Sequence, residues 1–62
     1  MNLYDAWTAR VTEAEARREL RRHGWESEIR ADGALWADGE AVAQRGRDGL
    51  YLGADILGWL GY

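Results

Sequence analysis

The residue types that carry out catalysis are scarce in this chain of 62 residues. His23 is the only histidine, Ser27 is the only serine, and cysteine is absent. No pattern therefore places a nucleophile beside a base. Paired carboxylates such as Glu26 and Glu28 act as acid and base only inside a pocket, which so short a chain rarely encloses. We predict a protein that is not an enzyme and has no catalytic residues.

Metal and cofactor sites are not indicated either. One histidine and scattered carboxylates give neither the spacing of a zinc site nor that of a calcium-binding loop. Gly46, Gly49 and Gly53 form a glycine-rich stretch, but the lysine and the long following helix of a phosphate-binding loop are missing. The sequence predicts no metal and no cofactor.

Acidic residues are the first candidate binding group. The net charge is −3, and residues 32–62 hold five acids against two arginines. Such a balance argues against direct DNA binding, which needs a basic face. Because aspartate also favours turns for local reasons, a purely structural role is the alternative. The acids that the predicted fold brings to one end are Glu26, Glu28, Asp38, Glu40 and Asp55.

Arginines are the second candidate group. At about 100° per residue, four of them share one side of a predicted helix. Guanidinium groups on one face can bind phosphate, RNA or an acidic protein. The alternative is a solvated face with local ion pairs, such as Glu13 with Arg17. The group consists of Arg17, Arg18, Arg21 and Arg22.

The helix that carries these arginines is predicted over residues 13–23. Thr12 and Glu15 have the spacing of a capping box, in which each side chain bonds the backbone N–H of the other residue. Gly24 supplies the left-handed residue that ends many helices, and Trp25 can then fold back in a Schellman motif. Both ends of this helix are therefore specified locally.

After the helix, the apolar pattern changes to a period of two, which predicts strands. A first strand over 25–31 leads into Asp32 and Gly33, which we interpret as a two-residue hairpin turn. That turn would place Ile29 opposite Trp36 on one face of the sheet.

A second Asp-Gly pair, at 38 and 39, predicts a third strand near 41–45, and residues 50–52 are predicted to form a fourth. Leu35 and Val42 fall on the face opposite Trp36, depending on whether the second turn has two residues or the strand has a bulge. In this meander, the second turn, the start of the first strand and the end of the fourth share one end. The acidic residues are therefore expected to gather there.

Short helical turns are predicted at both ends of the chain. One covers residues 3–9. In the other, Asp55 caps a turn that places Ile56 and Leu60 on one side. The predicted fold is thus α+β, with a three- to four-stranded antiparallel meander packed with one well-capped helix. It forms a single domain, residues 1–62.

Tryptophan supplies much of the apolar area, because each large aromatic side chain buries about 150–250 Å². A chain without disulfides can hardly leave such side chains in water. We therefore expect a mainly tryptophan core, with contact to a partner as the alternative for an individual ring. The four tryptophans are Trp7, Trp25, Trp36 and Trp59.

The expected compartment is the cytoplasm of a bacterial host cell. No stretch approaches the roughly 18 apolar residues of a membrane span, and the first residues do not resemble a secretion signal. Eight arginines with no lysine are typical of a GC-rich coding sequence, and hence of a bacterium or its phage.

In its general character, the whole chain resembles the small proteins with which phages block bacterial CRISPR systems, and among these the type I inhibitors, in particular type I-C. It is short, acidic and free of cysteine, and it has no catalytic constellation. Those proteins share no motif, so no functional residue carries over. The resemblance implies binding to a CRISPR effector complex, with carboxylates occupying the site of DNA phosphates and blocking target DNA binding.

Two other functions fit the same residues. A small bacterial regulator or adaptor would use the arginine group on RNA or on an acidic partner. An obligate homodimer would be built on Leu35, Val42 and the C-terminal segment. The partner expected first is another protein or a ribonucleoprotein complex, such as a CRISPR effector. Direct DNA or membrane binding is not expected, and the chain is a monomer or a homodimer.

Overall fold

The structure of residues 9–61 is described from a computed structural model. In this part of the chain, the elements are β1 (Arg10–Val11), α1 (Glu13–Arg22), β2 (Ser27–Ile29), β3 (Leu35–Ala37), β4 (Glu40–Ala43), β5 (Tyr51–Leu52) and α2 (Gly53–Leu60). The predicted α+β class is confirmed. The turn predicted over 3–9 lies outside the described residues except for Ala9, which is not helical. Neither helix is long and apolar enough to cross a membrane.

Local hydrogen bonds fix both ends of α1, as predicted: side-chain bonds at its start and backbone bonds at its end. Thr12 Oγ1 accepts the Glu15 N–H at 3.1 Å, and Glu15 Oε1 accepts the Thr12 N–H at 3.0 Å. This bond to the backbone also lowers the pKa of Glu15. At the other end, Gly24 has a φ of +86°, and the Trp25 N–H donates to the Leu20 carbonyl at 3.0 Å. The capping box and the Schellman motif are both confirmed.

The first hairpin closes through a three-residue loop instead of the predicted two-residue turn. The Arg30 N–H donates to the Ala34 carbonyl at 2.9 Å, and the Gly33 N–H donates to the Arg30 carbonyl at 2.8 Å. Gly33 is left-handed, with a φ of +89°. Asp32 stabilises the loop, because its Oδ1 accepts the Ala34 N–H at 2.9 Å.

The extra loop residue shifts the register of the hairpin by one. Ile29 lies opposite Leu35, and Glu28 lies opposite Trp36. The predicted pairing of Ile29 with Trp36 is therefore wrong, since a shift of one residue moves each side chain to the other face. Leu35 is on the buried inner face of the sheet, and Trp36 is on the outer face.

The second hairpin closes through a two-residue turn, which is one of the two alternatives that the sequence left open. Asp38 and Gly39 both have positive φ angles, of 52° and 71°, as a type I′ turn requires. The turn pairs Ala37 directly with Glu40. Consequently, β4 begins at Glu40, one residue earlier than expected.

A bulge follows in β4. Trp36 pairs with Ala41, whereas Leu35 pairs with Ala43, so that Val42 is the additional residue. Val42 and Ala43 are both buried as a result, and Leu35 and Val42 do lie away from the Trp36 face.

The predicted fourth strand forms, but it does not join the meander. β5 pairs antiparallel with β1, so the fold combines a three-stranded sheet, in the order β2-β3-β4, with a separate two-stranded ribbon. The loop before β5 repeats the first loop: the Gly46 N–H donates to the Leu50 carbonyl at 2.8 Å, and Asp48 Oδ1 accepts the Leu50 N–H at 3.0 Å. Gly49 takes the left-handed position, with a φ of +80°.

The C-terminal helix α2 is eight residues long and starts without a side-chain cap. Asp55 lies in its first turn and not at the predicted cap position, which Leu52 occupies. The first N–H of the helix, that of Gly53, already has a hydrogen-bond partner without a side-chain cap, because it donates to the Ala9 carbonyl at 2.9 Å. Asp55 still favours the helix by its charge near the positive end of the dipole.

The core lies between the inner face of the sheet and the two helices, and it consists of aliphatic residues and one tyrosine. The predicted tryptophan core is wrong for Trp25, which is 39% exposed, and for Trp36, which lies on the outer face of the sheet. Trp59 is partly buried and packs against the core, and Trp7 lies outside the described residues. The buried apolar residues are Ala16, Leu20, Ala34, Leu35, Ala37, Val42, Ala43, Tyr51, Ile56 and Leu57. Four of these buried residues are alanines, whose small side chains let the helices lie close to the sheet.

Tyr51 connects the ribbon to the first hairpin. Its side chain is fully buried, and its hydroxyl donates to the Gly33 carbonyl at 2.6 Å. We expect Tyr51→Phe to lower the free energy of unfolding by about 1–3 kcal/mol, because the Gly33 carbonyl would lose its buried partner. Urea denaturation followed by circular dichroism measures this loss. A change below about 0.5 kcal/mol would contradict the role given to this bond.

An exposed ion pair joins β1 to the loop before β5. The Arg10 guanidinium contacts both oxygens of Asp48, at 2.7 and 2.9 Å. These bonds, together with the Leu50 N–H, lower the pKa of Asp48 to about 2. A depressed carboxyl pKa stabilises the fold above the unfolded value of about 3.9. The contribution disappears as the pH falls through about 2.

For this pair, we expect Arg10→Gln to raise the pKa of Asp48 toward its usual value, although the Leu50 N–H would still hold it somewhat low. Carboxyl carbon NMR shifts recorded against pH measure the change. Arg47→Gln is the matched control, since it removes a neighbouring arginine and should leave Asp48 unaffected. Titration of Asp48 near pH 4 in the unaltered protein would refute the assignment.

Candidate functional site

Three of the predicted acids lie at one end of the three-stranded sheet. Ser27 pairs with Ala37, so Glu26 and Asp38 follow directly beyond the last pair of β2 and β3. Glu40 pairs with Ala37 from the other side. All three carboxylate side chains are exposed. The register of the sheet is thus what brings them to this end.

Two tryptophans, one just after α1 and one in α2, meet at the same end. The rings of Trp25 and Trp59 form a T-shaped contact, with centroids 5.3 Å apart and planes at 74°. The Trp59 Nε1–H donates to Glu40 Oε1 at 3.0 Å, which links the aromatic pair to the acids. We refer to this surface as the acidic–aromatic end; it consists of Trp25, Glu26, Asp38, Glu40 and Trp59.

Local structure positions each tryptophan. Trp25 follows the left-handed Gly24 that ends α1, and its backbone N–H is bound to the Leu20 carbonyl, so the chain turns toward the sheet at this point. Trp59 lies on the last turn of α2, which packs against β4. The sequence does not indicate this pair, because large aromatic side chains are expected first in the core. The predicted Schellman motif indicated that the chain folds back at Trp25. No local pattern indicated the position of the Trp59 ring.

The other two predicted acids lie elsewhere. Glu28 is on the outer face of the sheet, and its Oε1 is 3.3 Å from Nη2 of Arg30. Asp55 is in the first turn of α2, one helical turn before Trp59. Among residues 9–61, no three histidine, aspartate or glutamate side chains are grouped so as to hold a metal ion.

The outer face of the sheet carries its own aromatic contact. The Arg30 guanidinium carbon lies 3.8 Å from the centroid of the Trp36 ring, a cation–π geometry. Glu28 pairs with this same guanidinium and lies opposite Trp36 across the strands. Carboxylate, guanidinium and indole therefore satisfy one another within the chain.

Two of the four predicted arginines, Arg17 and Arg22, bind other residues of the chain. Arg17 is partly buried and binds β2, because it donates to Ser27 Oγ at 3.2 Å and to the Ser27 carbonyl at 3.1 Å. It also lies 3.7 Å from Glu13, which confirms the ion pair expected at that spacing. Arg17 therefore holds α1 against the edge of the sheet.

The remaining three arginines are exposed. Arg22 pairs with Glu19 at 3.1 Å. Arg18 and Arg21 make no ion pair or hydrogen bond within residues 9–61. Of the four predicted arginines, two are thus free of such partners in the described part of the chain.

The homodimer surface predicted on Leu35 and Val42 is wrong, because both side chains are buried within one chain. Leu35 is fully buried and Val42 is 7% exposed within a single chain. They pack into the core because the register and the bulge turn both side chains inward. Neither residue offers surface to a second copy.

Comparison of the chain with protein-family models, curated proteins and solved structures finds no significant match. The surfaces described above are therefore interpreted from their own chemistry. Exposed indole rings with neighbouring carboxylates can bind cationic groups, by ring stacking and by ion pairing.

Proposed function

We propose that this chain is a non-enzymatic binding protein whose acidic–aromatic end docks on a basic surface of another protein or ribonucleoprotein complex. One observation carries the proposal: three exposed carboxylates lie at the same end of the sheet as a tryptophan pair that the fold leaves partly in solvent, and Glu40 binds one of the two rings. In a chain with so small a core, apolar area left exposed in this way is available for a partner.

The two kinds of side chain have complementary effects on binding. Tryptophan is enriched among the residues that supply most of the affinity of protein interfaces. Charges at the rim accelerate association and select partners of opposite sign. Trp25 and Trp59 would anchor the contact, and the three carboxylates would orient it.

Within this class, we propose a phage-encoded anti-CRISPR inhibitor that docks on a CRISPR effector complex and blocks target DNA binding. The net charge of −3 and the local carboxylates support this, because an effector must present cationic side chains to DNA phosphates. Carboxylates placed on those side chains would compete with the phosphates. The host of such an inhibitor would be a bacterial cell, and its working compartment the cytoplasm.

The arginine group is the weaker alternative. A regulator that binds RNA or an acidic partner would need several free guanidinium groups on one face. Arg17 and Arg22 are instead bound to residues of the chain itself. Arg18 and Arg21 alone give a small basic surface.

A charge-altered variant tests the docking surface. In the combination of Glu26→Lys, Asp38→Asn and Glu40→Gln, asparagine tolerates the positive φ at position 38, and glutamine can still accept the Trp59 N–H. We expect this variant to keep its circular dichroism spectrum and to lose at least about tenfold in affinity for a purified type I-C effector complex. The affinity is measured as competition with labelled target DNA.

The matched control makes the same change of charge away from the acidic–aromatic end, with Glu28→Lys, Glu13→Gln and Glu19→Gln. It should bind the effector within about twofold of the unaltered chain. Equal losses in the two variants would show that only net charge matters. If the unaltered chain did not compete with DNA at all, the CRISPR assignment would be wrong.

A further inference from the structure

The outer face provides an internal example of how this chain binds a guanidinium group. Arg30 stacks on Trp36 at 3.8 Å, and its Nη2 lies 3.3 Å from Glu28 Oε1. Here one indole ring and one carboxylate on neighbouring strands contact the guanidinium of the same arginine side chain. All three groups belong to the chain, so this arrangement is complete.

The acidic–aromatic end has the indole and the carboxylate but not the cation. Trp25 is 39% exposed, and Glu40 accepts the Trp59 N–H through one of its two oxygens. Within residues 9–61, the arginine contacts with aromatic rings are those of Arg30 with Trp36 and of Arg45 with Tyr51. The described part of the chain thus places no guanidinium on the Trp25–Trp59 pair.

We infer that this position is filled by an arginine side chain of the partner, stacked on the exposed Trp25 ring and paired with the carboxylates of the acidic–aromatic end. The inference rests on the proposed function and adds the chemical identity of the group that is recognised. Arginine fits better than lysine, because its planar guanidinium stacks on a ring while it donates in parallel to a carboxylate.

The approach of the arginine is restricted by the charges around Trp25. Arg17 and Arg21 line a shallow depression with Trp25, Glu26 and Ser27 on the side of α1. A second cation would be repelled there. The partner's guanidinium is therefore expected on a part of the Trp25 ring outside this depression.

A comparison of two peptides tests this preference. The ¹⁵N-labelled chain is titrated with hexa-arginine and, separately, with hexa-lysine, and the indole N–H signals are followed by NMR. Trp→Phe variants assign each signal. We expect the Trp25 and Trp59 signals to move and the Trp36 signal to stay, with hexa-arginine bound roughly two- to fivefold more tightly than hexa-lysine. Equal affinity for both peptides, or an equal shift of Trp36, would overturn the inference.

A variant then isolates the ring. Trp25→Leu keeps an apolar side chain but removes the π system, so it should abolish the preference for arginine while weak charge-driven binding remains. Trp36→Leu is the matched control and should retain the preference. If Trp25→Leu proved poorly folded, Trp25→Phe would serve instead, with a reduced preference expected because phenylalanine is the weaker platform. A full preference in a folded Trp25 variant would refute the role of the ring.

The inference and the proposed function can fail separately. Equal binding of the two peptides, combined with loss of effector binding in the charge-altered variant, would leave an acidic docking surface without selectivity for arginine. Selectivity for arginine in a chain that does not bind the effector would preserve the site and refute the partner.

Discussion

The hydrogen bond from the Tyr51 hydroxyl to the Gly33 carbonyl holds the loop on which the register of the sheet depends. Gly33 adopts a left-handed conformation, and the Asp32 carboxylate closes the loop by accepting a backbone N–H two residues further on. With three residues in this loop, Leu35 points into the core and Trp36 points out. With two, they would exchange places, and the core would have to accept an indole ring where an aliphatic side chain now fits.

The same register determines the surfaces. It sets Glu28 opposite Trp36 on the outer face, where Arg30 neutralises the carboxylate and covers the ring. It also brings Glu26 to the end of the sheet at which the second turn places Asp38. The length of the first loop and the position of α2 therefore divide the five acids, which look equivalent in the sequence. Three lie at one end of the sheet, Glu28 lies on its outer face, and Asp55 lies in the first turn of α2.

Features encoded by neighbouring residues could be predicted, whereas features set by distant contacts could not. Both ends of α1 depend on local bonds, and both were predicted. The chain has three Asp-Gly pairs that look alike: Asp32 and Asp48 bond a nearby N–H within three-residue loops, but Asp38 takes a positive φ in a two-residue turn. Each longer loop is also bound by a residue far away in the sequence: Tyr51 contacts the first loop, and Arg10 contacts the loop before β5. The positions of the turns and the three acids at one end thus followed from the sequence, whereas the register, the ribbon and the tryptophan pair did not.

The placement of tryptophan is costly for so small a fold, because each Å² of apolar surface left in water forgoes about 25 cal/mol. Alanines in the core allow close helix–sheet packing but bury little apolar surface. A buried indole ring would have added the most apolar surface to the core. The chain instead covers Trp36 with its own Arg30, which recovers part of the loss. Trp25 and Trp59 contact each other edge to face, Trp59 also packs against the core, and Glu40 accepts the Trp59 N–H. An aromatic pair that is held in place by hydrogen bonding yet left partly exposed gains most from a partner that supplies the missing contact.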